Sequence, residues 1–357
     1  MDDAYKRLAR HLDSLPNGYP PSDDGAELRI LAKLFALEEA DLAARLRPTP
    51  ETAARLAERL GADPEALSLQ LKAMGRRGLI TVKRNPEGLA FGTLPFVVGI
   101  YENQLGQLDV EFATLFEAYY KQAFGRAMAF PPSVHRVIPV QESVRTGMEI
   151  LPFESAAAIL GTGNAWGVFD CICRKQKSLV GEPCGHPIDV CLTFSEKPGA
   201  YDHHPVIHPI TQQDALATLQ RAAEAGLVHS VGNSQEGLSY VCSCCTCSCG
   251  VLRGMADLGL ANVVARSAFV NQVDEERCVG CELCLDRCQF DALFLDEVAR
   301  VDSTRCVGCG VCVPSCPEDA LGLARRPEEE IEAPPGDPRE WQIQRLTARG
   351  LPLDDLL

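Results

Sequence analysis

The feature that most constrains this chain is a cysteine motif that occurs twice near the C-terminal end, with corresponding residues 28 positions apart. Both copies have the spacing C-x2-C-x2-C-x3-C, which gives Cys278, Cys281, Cys284 and Cys288 in the first and Cys306, Cys309, Cys312 and Cys316 in the second. Three thiolates placed two residues apart can surround one face of a metal–sulfide cube from a single tight loop. The repeat therefore predicts two tight metal-binding loops of the same design.

This repeat resembles the bacterial two-[4Fe-4S] ferredoxins over about residues 270–324. The resemblance implies that the last cysteine of each copy ligates the cluster of the other copy. The implied ligand sets are Cys278, Cys281, Cys284 and Cys316 for one cluster and Cys306, Cys309, Cys312 and Cys288 for the second. Structural zinc is the alternative, but zinc sites usually join two C-x2-C pairs across a longer gap.

The first copy departs from the family pattern at one position. Pro317 follows the last cysteine of the second copy, whereas Gln289 stands at the corresponding position of the first. Since proline stiffens the backbone, we expect a less constrained loop after Cys288, with no ligand lost.

The charge of the chain also bears on its function. The formal net charge is -15, and residues 271–323 contain eleven Asp and Glu against four Arg. Accumulated negative charge disfavours the addition of an electron, so low reduction potentials are expected. An acidic protein is not expected to coat nucleic acid nonspecifically, whereas it can dock onto the basic patches of redox partner proteins, including other ferredoxin-type carriers.

Nine further cysteines lie in two groups, which are Cys171, Cys173, Cys184 and Cys191, and then Cys242, Cys244, Cys245, Cys247 and Cys249. They predict at least one additional iron–sulfur cluster, with zinc or free buried thiols as alternatives. The first group could supply four ligands alone, or a pair from each group could share one site. If a strand continued beyond Val241, then Cys245, Cys247 and Cys249 would share one face and Cys244 the other.

Four histidines lie within the first group or between the two groups. They are His186, His203, His204 and His208. One of them could ligate a cluster or pass a proton, but loop or surface positions are the more common outcome.

The N-terminal part resembles a winged helix over roughly residues 26–100. The resemblance rests on the order of its elements, which are three helices followed by a hairpin. Arg76, Arg77, Lys83 and Arg84 stand where such a domain contacts phosphates. The segment has 11 Lys and Arg against 9 Asp and Glu, so its charge is nearly balanced. A docking module is therefore expected more than a DNA-binding domain.

These patterns predict an α+β chain with several domains. The predicted parts are a lead-in segment (1–25), a winged-helix-like domain with a connecting helix (26–130), a Cys-rich α+β domain (131–268), a two-cluster ferredoxin domain (269–326) and a surface tail (327–357). The sequence has no signal-peptide pattern and no apolar stretch of membrane-spanning length, and its cysteine count is odd at 17. A reducing cytoplasm is the expected location.

The predicted function is the transfer of single electrons by an iron–sulfur protein or redox subunit. Because the cofactors would carry the chemistry, no side chain is assigned a catalytic role. Two other functions stay open. One is a redox-sensing transcriptional regulator that uses the winged helix, and the other is an oxidoreductase whose central cysteine site acts on a small substrate.

Overall fold

The computed structural model describes residues 3–260 and 263–353, which form two compact units. Residues 3–127 and 342–353 belong to the first unit, and 128–260 and 263–341 to the second. The Cys-rich segment and the cysteine repeat therefore share one unit, although the sequence suggested a domain boundary between 268 and 269. The reason is a common apolar core that contains residues of both segments, among them Val228, Cys244 and Cys309.

Within residues 3–127, the first unit contains seven α-helices. They are α1 (Asp3–Asp13), α2 (Ala26–Leu34), α3 (Leu37–Ala43), α4 (Ala53–Leu60), α5 (Pro64–Arg76), α6 (Val110–Tyr119) and α7 (Gly125–Ala127). Their ends follow local chemistry. Asp63 accepts a hydrogen bond from the Ala66 amide at the start of α5, and Pro64 occupies the first turn of that helix.

Three short strands accompany these helices. The strands β1 (Glu51–Thr52), β2 (Thr81–Asn85) and β3 (Gly88–Gly92) form an antiparallel sheet in the order β1-β3-β2. The hairpin that the sequence indicated after Gly78 is therefore present. Its tip is exposed, whereas Ala90 and Phe91 of β3 are both buried.

Aromatic rings fill much of the first unit's core. Tyr101 stacks on Phe116 with ring centroids 4.1 Å apart, and Phe96 contacts the rings of Tyr19 and Phe124. Aromatic residues make up 6% of the chain, so a core of Ala, Leu and Val was expected. Ala, Leu and Val still make up most of the buried apolar residues of this unit, as expected, and a large share of the chain's Phe and Tyr residues gathers in the same core.

Two terminal segments differ from the sequence-based expectation. The lead-in segment forms α1, which buries Leu8 and Leu12. The C-terminal segment is not a surface tail, because Arg345 is fully buried and donates hydrogen bonds to the carbonyls of Pro16 (2.8 Å) and Ala127 (2.9 Å). Residues 1–2 and 354–357 of the predicted segments lie outside the described residues.

The second unit is built on a seven-stranded sheet. Its strands are β4 (His135–Val137), β5 (Ala165–Phe169), β6 (Cys191–Ser195), β7 (His208–Ile210), β8 (Val228–Gly232), β9 (Tyr240–Cys244) and β10 (Val264–Ala265). Their order is β10-β4-β8-β9-β6-β5-β7, and only the β10–β4 pair is parallel. The helices of this region are α8 (Ala156–Leu160), α9 (Ile172–Leu179), α10 (Gln212–Glu224) and α11 (Arg253–Leu258).

The cysteine repeat folds into two small antiparallel pairs beside this sheet. The strand β11 (Phe269–Val273) pairs with β14 (Leu321–Arg325), and β12 (Leu293–Asp296) pairs with β13 (Val298–Val301). The helix α12 (Leu283–Arg287) lies between β11 and β12 in sequence. The last helix of the described residues is α13 (Pro338–Ala348). Within residues 3–260 and 263–353, no helix has both the length and the apolar character needed to cross a membrane.

Candidate metal centres

The repeat forms two separate cavities, each lined by four cysteines. One cavity, the outer site, is lined by Cys278, Cys281, Cys284 and Cys316. The other, the inner site, is lined by Cys288, Cys306, Cys309 and Cys312. The last cysteine of each copy therefore lies with the triplet of the other copy, as the resemblance implied.

The two loops have the same backbone geometry. Gly280 and Gly308, one repeat apart, have φ values of 67° and 70°, and Asp291 and Asp319 have φ values of 48° and 47°. A Cβ on Gly308 would lie 2.0 Å from the Phe269 carbonyl oxygen, so a larger residue does not fit there. Left-handed backbone at these positions closes the loops around the thiols.

Backbone and side-chain N–H groups point at the sulfurs of both sites. The amides of Ala292 and Ala320 each donate to a sulfur at 3.3 Å, to Cys288 and Cys316 respectively. In the inner site, Asn271 Nδ2 lies 3.2 Å from Cys312 Sγ and donates to it. Burial raises the pKa of the Cys309 thiol to about 12, so this side chain needs a cation to become a thiolate at neutral pH.

The outer site is the more accessible of the two. Cys281 is exposed, whereas Cys306, Cys309 and Cys312 of the inner site are buried. Exposed apolar side chains adjoin the outer loop, including Val279 at 66% and Leu283 at 50% exposure. The inner site is accordingly the one shielded from solvent.

The family comparison supports this assignment of the segment. A family model described as the 4Fe-4S dicluster domain matches residues 277–320. The segment is a ferredoxin-type domain. This match supports iron–sulfur binding by these residues, and the cavities lined by the repeat offer the donor set that [4Fe-4S] clusters require. No curated protein and no solved structure matches the chain.

Six of the nine other cysteines form a closed ring of thiol–thiol contacts. Going around the ring, the residues are Cys171, Cys173, Cys249, Cys244, Cys242 and Cys191, with Cys191 returning to Cys171. Three members come from each of the two sequence groups. We refer to this arrangement as the six-thiol ring.

Strand register explains why these segments meet. Leu192 of β6 pairs with Val241 of β9 in an antiparallel ladder, which brings Cys191 beside Cys242. Cys171 follows β5, whose last residue Phe169 pairs with Cys191. The sheet thus brings Cys191 of β6 and Cys242 of β9 close to Cys171, which lies just beyond β5.

A buried cation lies against the ring. Arg174, in the first turn of α9, is 4% exposed, and its Nε and Nη1 atoms have no hydrogen-bond partner among the described residues. The thiols of Cys171, Cys191 and Cys244 all interact electrostatically with this guanidinium. Nη2 donates a hydrogen bond to the Ser243 carbonyl, and Cys245, outside the ring, also interacts with the cation. Because a buried charge is costly unless it is offset, Arg174 suits negative charge on the thiols around it.

The three remaining cysteines join a histidine in a second, smaller group. The ligand atoms of Cys184, His186, Cys245 and Cys247 all lie within 4.8 Å of one another. We call this the four-ligand group. The Cys247 thiol lowers the pKa of Cys245 to about 5, and the Arg174 cation acts in the same direction against the effect of burial.

This arrangement bears on several sequence-based interpretations. The strand β9 ends at Cys244, so the condition for an alternation of Cys245, Cys247 and Cys249 along a strand is not met. A turn there directs Cys249 to the ring and the other two to the four-ligand group. His186 lies in a loop, as expected, and it is also part of a potential ligand set, which is the alternative that the sequence left open. His203, His204 and His208 are exposed, as expected.

The ring and the inner site share one apolar core. Cys244 and Cys249 of the ring pack in the same cluster as Cys306 and Cys309, and Cys288 packs against it. A second apolar cluster joins the two ferredoxin sites, because it contains Cys284 of the outer site and Cys312 of the inner site. The three groups therefore follow one another in the order outer site, inner site, ring.

Proposed function

We propose that this protein relays single electrons through three iron–sulfur centres arranged in series. An electron enters at the outer site, passes to the inner site and reaches a polynuclear centre held by the six-thiol ring. The observation that carries the proposal is the pair of apolar clusters that link the three cysteine groups in this order.

The ring suits a centre with more than one metal ion. Six thiolates exceed the four that complete one tetrahedral ion or one cubane. Arg174 offsets part of the negative charge that such a centre would hold. Four of the six cysteines are buried, namely Cys171, Cys191, Cys244 and Cys249. This favours electron transfer over catalysis on a substrate, because a substrate would need an open coordination position.

The outer site suits the entry of electrons from a partner protein. Its exposed apolar residues Val279 and Leu283 lie next to the acidic surface of the ferredoxin-type domain. Partners with a basic, partly apolar docking surface fit these properties.

We infer that the first unit is a winged-helix-like docking module. Arg77 is one of the four basic residues that stand where a winged helix contacts phosphates. It pairs with Glu39 at 2.7 Å and donates to the Leu34 carbonyl, so it supports the fold of this unit. Arg55 and Arg59 also pair with acidic residues, Glu87 and Glu51. This internal pairing reduces the positive charge available to a DNA backbone, and together with the nearly balanced charge of residues 26–100 it supports docking over the regulator alternative.

Iron and sulfide analysis of anaerobically purified protein tests the relay. We expect more than eight irons per chain, since two cubanes account for about eight at four irons each. The double variant Cys242→Ser and Cys244→Ser should lower the count toward eight and leave the two ferredoxin-type EPR signals in place. A wild-type protein that saturates at eight irons would refute a third iron–sulfur centre.

A gel-shift assay tests the alternative that the protein is a redox-sensing transcriptional regulator. At physiological salt we expect no saturable binding to DNA from the protein's own promoter in either redox state. The informative variant is Arg76→Glu, because Arg76 is exposed, whereas a change at Arg77 would also disturb the fold. A sequence-dependent shift that Arg76→Glu abolishes would favour the regulator.

A further inference from the structure

We propose that the four-ligand group binds a single zinc ion that clamps together the two segments forming the six-thiol ring. This inference does not depend on the electron relay, because it concerns different cysteines and a metal without redox chemistry. The argument starts from the number and type of donors. Three cysteines and one histidine form a closed tetrahedral set of the kind that structural zinc sites use.

The spacing of the ligand atoms indicates one ion rather than a cubane. A tetrahedral ion about 2.3 Å from sulfur holds its ligand atoms on the order of 3.8 Å apart. Cys247 Sγ lies 3.8 Å from His186 Nδ1, and the four ligand atoms lie within 4.8 Å of one another. A cubane binds each thiolate to a different metal ion, so its four sulfurs stand farther apart. The cysteines of the outer and inner sites instead surround a cavity.

A neighbouring side chain supports the thiolates. Ser248 is 2% exposed, and its hydroxyl donates to Cys184 Sγ at 3.4 Å. Hydrogen bonds of this kind orient metal ligands and stabilise their charge. Arg174 adds a cation beside Cys245.

The position of the group explains what the ion would do. Cys184 and His186 lie between Cys173 and Cys191, which both belong to the ring, and Cys245 and Cys247 lie between the ring members Cys244 and Cys249. One ion therefore fastens the same two segments that supply three thiols each to the ring. A metal cross-link restricts the unfolded chain. The zinc ion would therefore hold the two segments together both before and after metal is inserted into the six-thiol ring.

The test is the zinc content of the full chain, measured with iron on the same anaerobic preparation. Wild-type protein should contain one zinc per chain. The variants Cys184→Ser and His186→Ala should lose it, and His186→Cys should retain it because a set of four cysteines also binds zinc. His203→Ala is the matched control, since His203 is exposed and lies outside the group. The ferredoxin-type EPR signals report whether each variant is folded.

A cobalt probe adds a readout of the geometry. Co²⁺ added to protein depleted of zinc should give the visible absorption of a tetrahedral thiolate site, and His186→Cys should shift this absorption while His203→Ala leaves it unchanged. Zinc absent from the wild type, or zinc retained in both Cys184→Ser and His186→Ala, would overturn the proposal. Loss of one iron in place of zinc would overturn the choice of metal. These outcomes are independent of whether the total iron exceeds that of two cubanes.

Discussion

The backbone amide of Thr246 donates a hydrogen bond to Gln289 Oε1 at 2.7 Å. Gln289 follows Cys288 of the inner site, and Thr246 lies between Cys245 and Cys247 of the four-ligand group. The Nε2 atom of Gln289 also donates to the Gly226 carbonyl. The residue that replaces the family's proline therefore joins the ferredoxin-type loop to the central cysteines. The less constrained loop expected from the sequence is held by this side chain.

Replacing Gln289 should loosen this connection. We expect Gln289→Ala to destabilise the second unit by about 1–3 kcal/mol, because the partly buried Thr246 amide would lose its acceptor. Denaturant unfolding followed by the visible absorption of the clusters measures the effect. Gln272→Ala is the control, since the Gln272 side chain is exposed. Equal midpoints for the two variants would contradict a structural role for the link.

Replacing the last cysteine of each copy should show that it ligates the cluster of the other copy. Cys288→Ser is expected to damage the cluster built on Cys306, Cys309 and Cys312, and Cys316→Ser the one built on Cys278, Cys281 and Cys284. The two variants should lose different EPR signals. If each variant damaged the cluster nearest in sequence, the ligand sets inferred from the cavities would be wrong.

Asn271 should tune the inner cluster. Its hydrogen bond to Cys312 Sγ stabilises the more negative, reduced state. We expect Asn271→Leu to lower the potential of that cluster by roughly 50 mV, which corresponds to about 1 kcal/mol for one electron. A redox titration monitored by EPR measures it. The outer cluster of the same protein is the internal control and should keep its potential.

Electron entry should depend on Asp286. Several acidic residues lie close in sequence to the cysteines of the repeat. Two of them are paired, Asp291 with Arg305 (3.1 Å) and Asp319 with Arg277 (3.5 Å). Asp286 is exposed, so Asp286→Lys is the cleaner charge reversal. It should slow reduction by a basic protein donor several-fold at low salt, and leave reduction by a small viologen unchanged. Glu58→Lys in the first unit should affect neither rate, and equal slowing by both variants would argue against docking at the outer site.

Stability should fall as the pH drops below about 6.5. His229 is buried, and burial lowers its pKa from 6.5 to about 4. Between these values the unfolded chain binds a proton that the folded chain does not, so folding stability declines as the pH falls. His229→Gln should reduce this decline by about 2 kcal/mol at pH 5.0, which is about 1.5 units below the pKa of the unfolded chain. Denaturant unfolding at pH 7.5 and 5.0 measures it, with exposed His203→Gln as control. An unchanged difference in the His229 variant would contradict the assignment.

The sequence predicted those parts of the site whose ligands are local. Each cysteine triplet of the repeat spans seven residues, so its spacing already defines a loop around a cluster. The crossed fourth ligands followed from the family resemblance, since the spacing within one copy places Cys288 too close in sequence to return to its own triplet.

The central cysteines could not be assigned in this way because their neighbours depend on long-range pairing. Cys191 meets Cys242 through the register of β6 and β9, which spacing does not encode. The division of Cys245, Cys247 and Cys249 between two groups depends on where β9 ends. The C-terminal helix was misjudged for a related reason. Arg345 looks like a surface residue in sequence, and its burial depends on carbonyl acceptors more than 200 positions away.

The crossed cavities also bear on how the protein is made. The outer site needs Cys316, near the end of the repeat, and the inner site combines Cys288 with cysteines of the second copy. During synthesis the first triplet therefore leaves the ribosome without its fourth ligand. Neither cavity is complete until the whole repeat has been translated. A chain interrupted between the copies would expose a three-thiol loop, so cluster insertion by the cell's assembly machinery has to wait for the second copy.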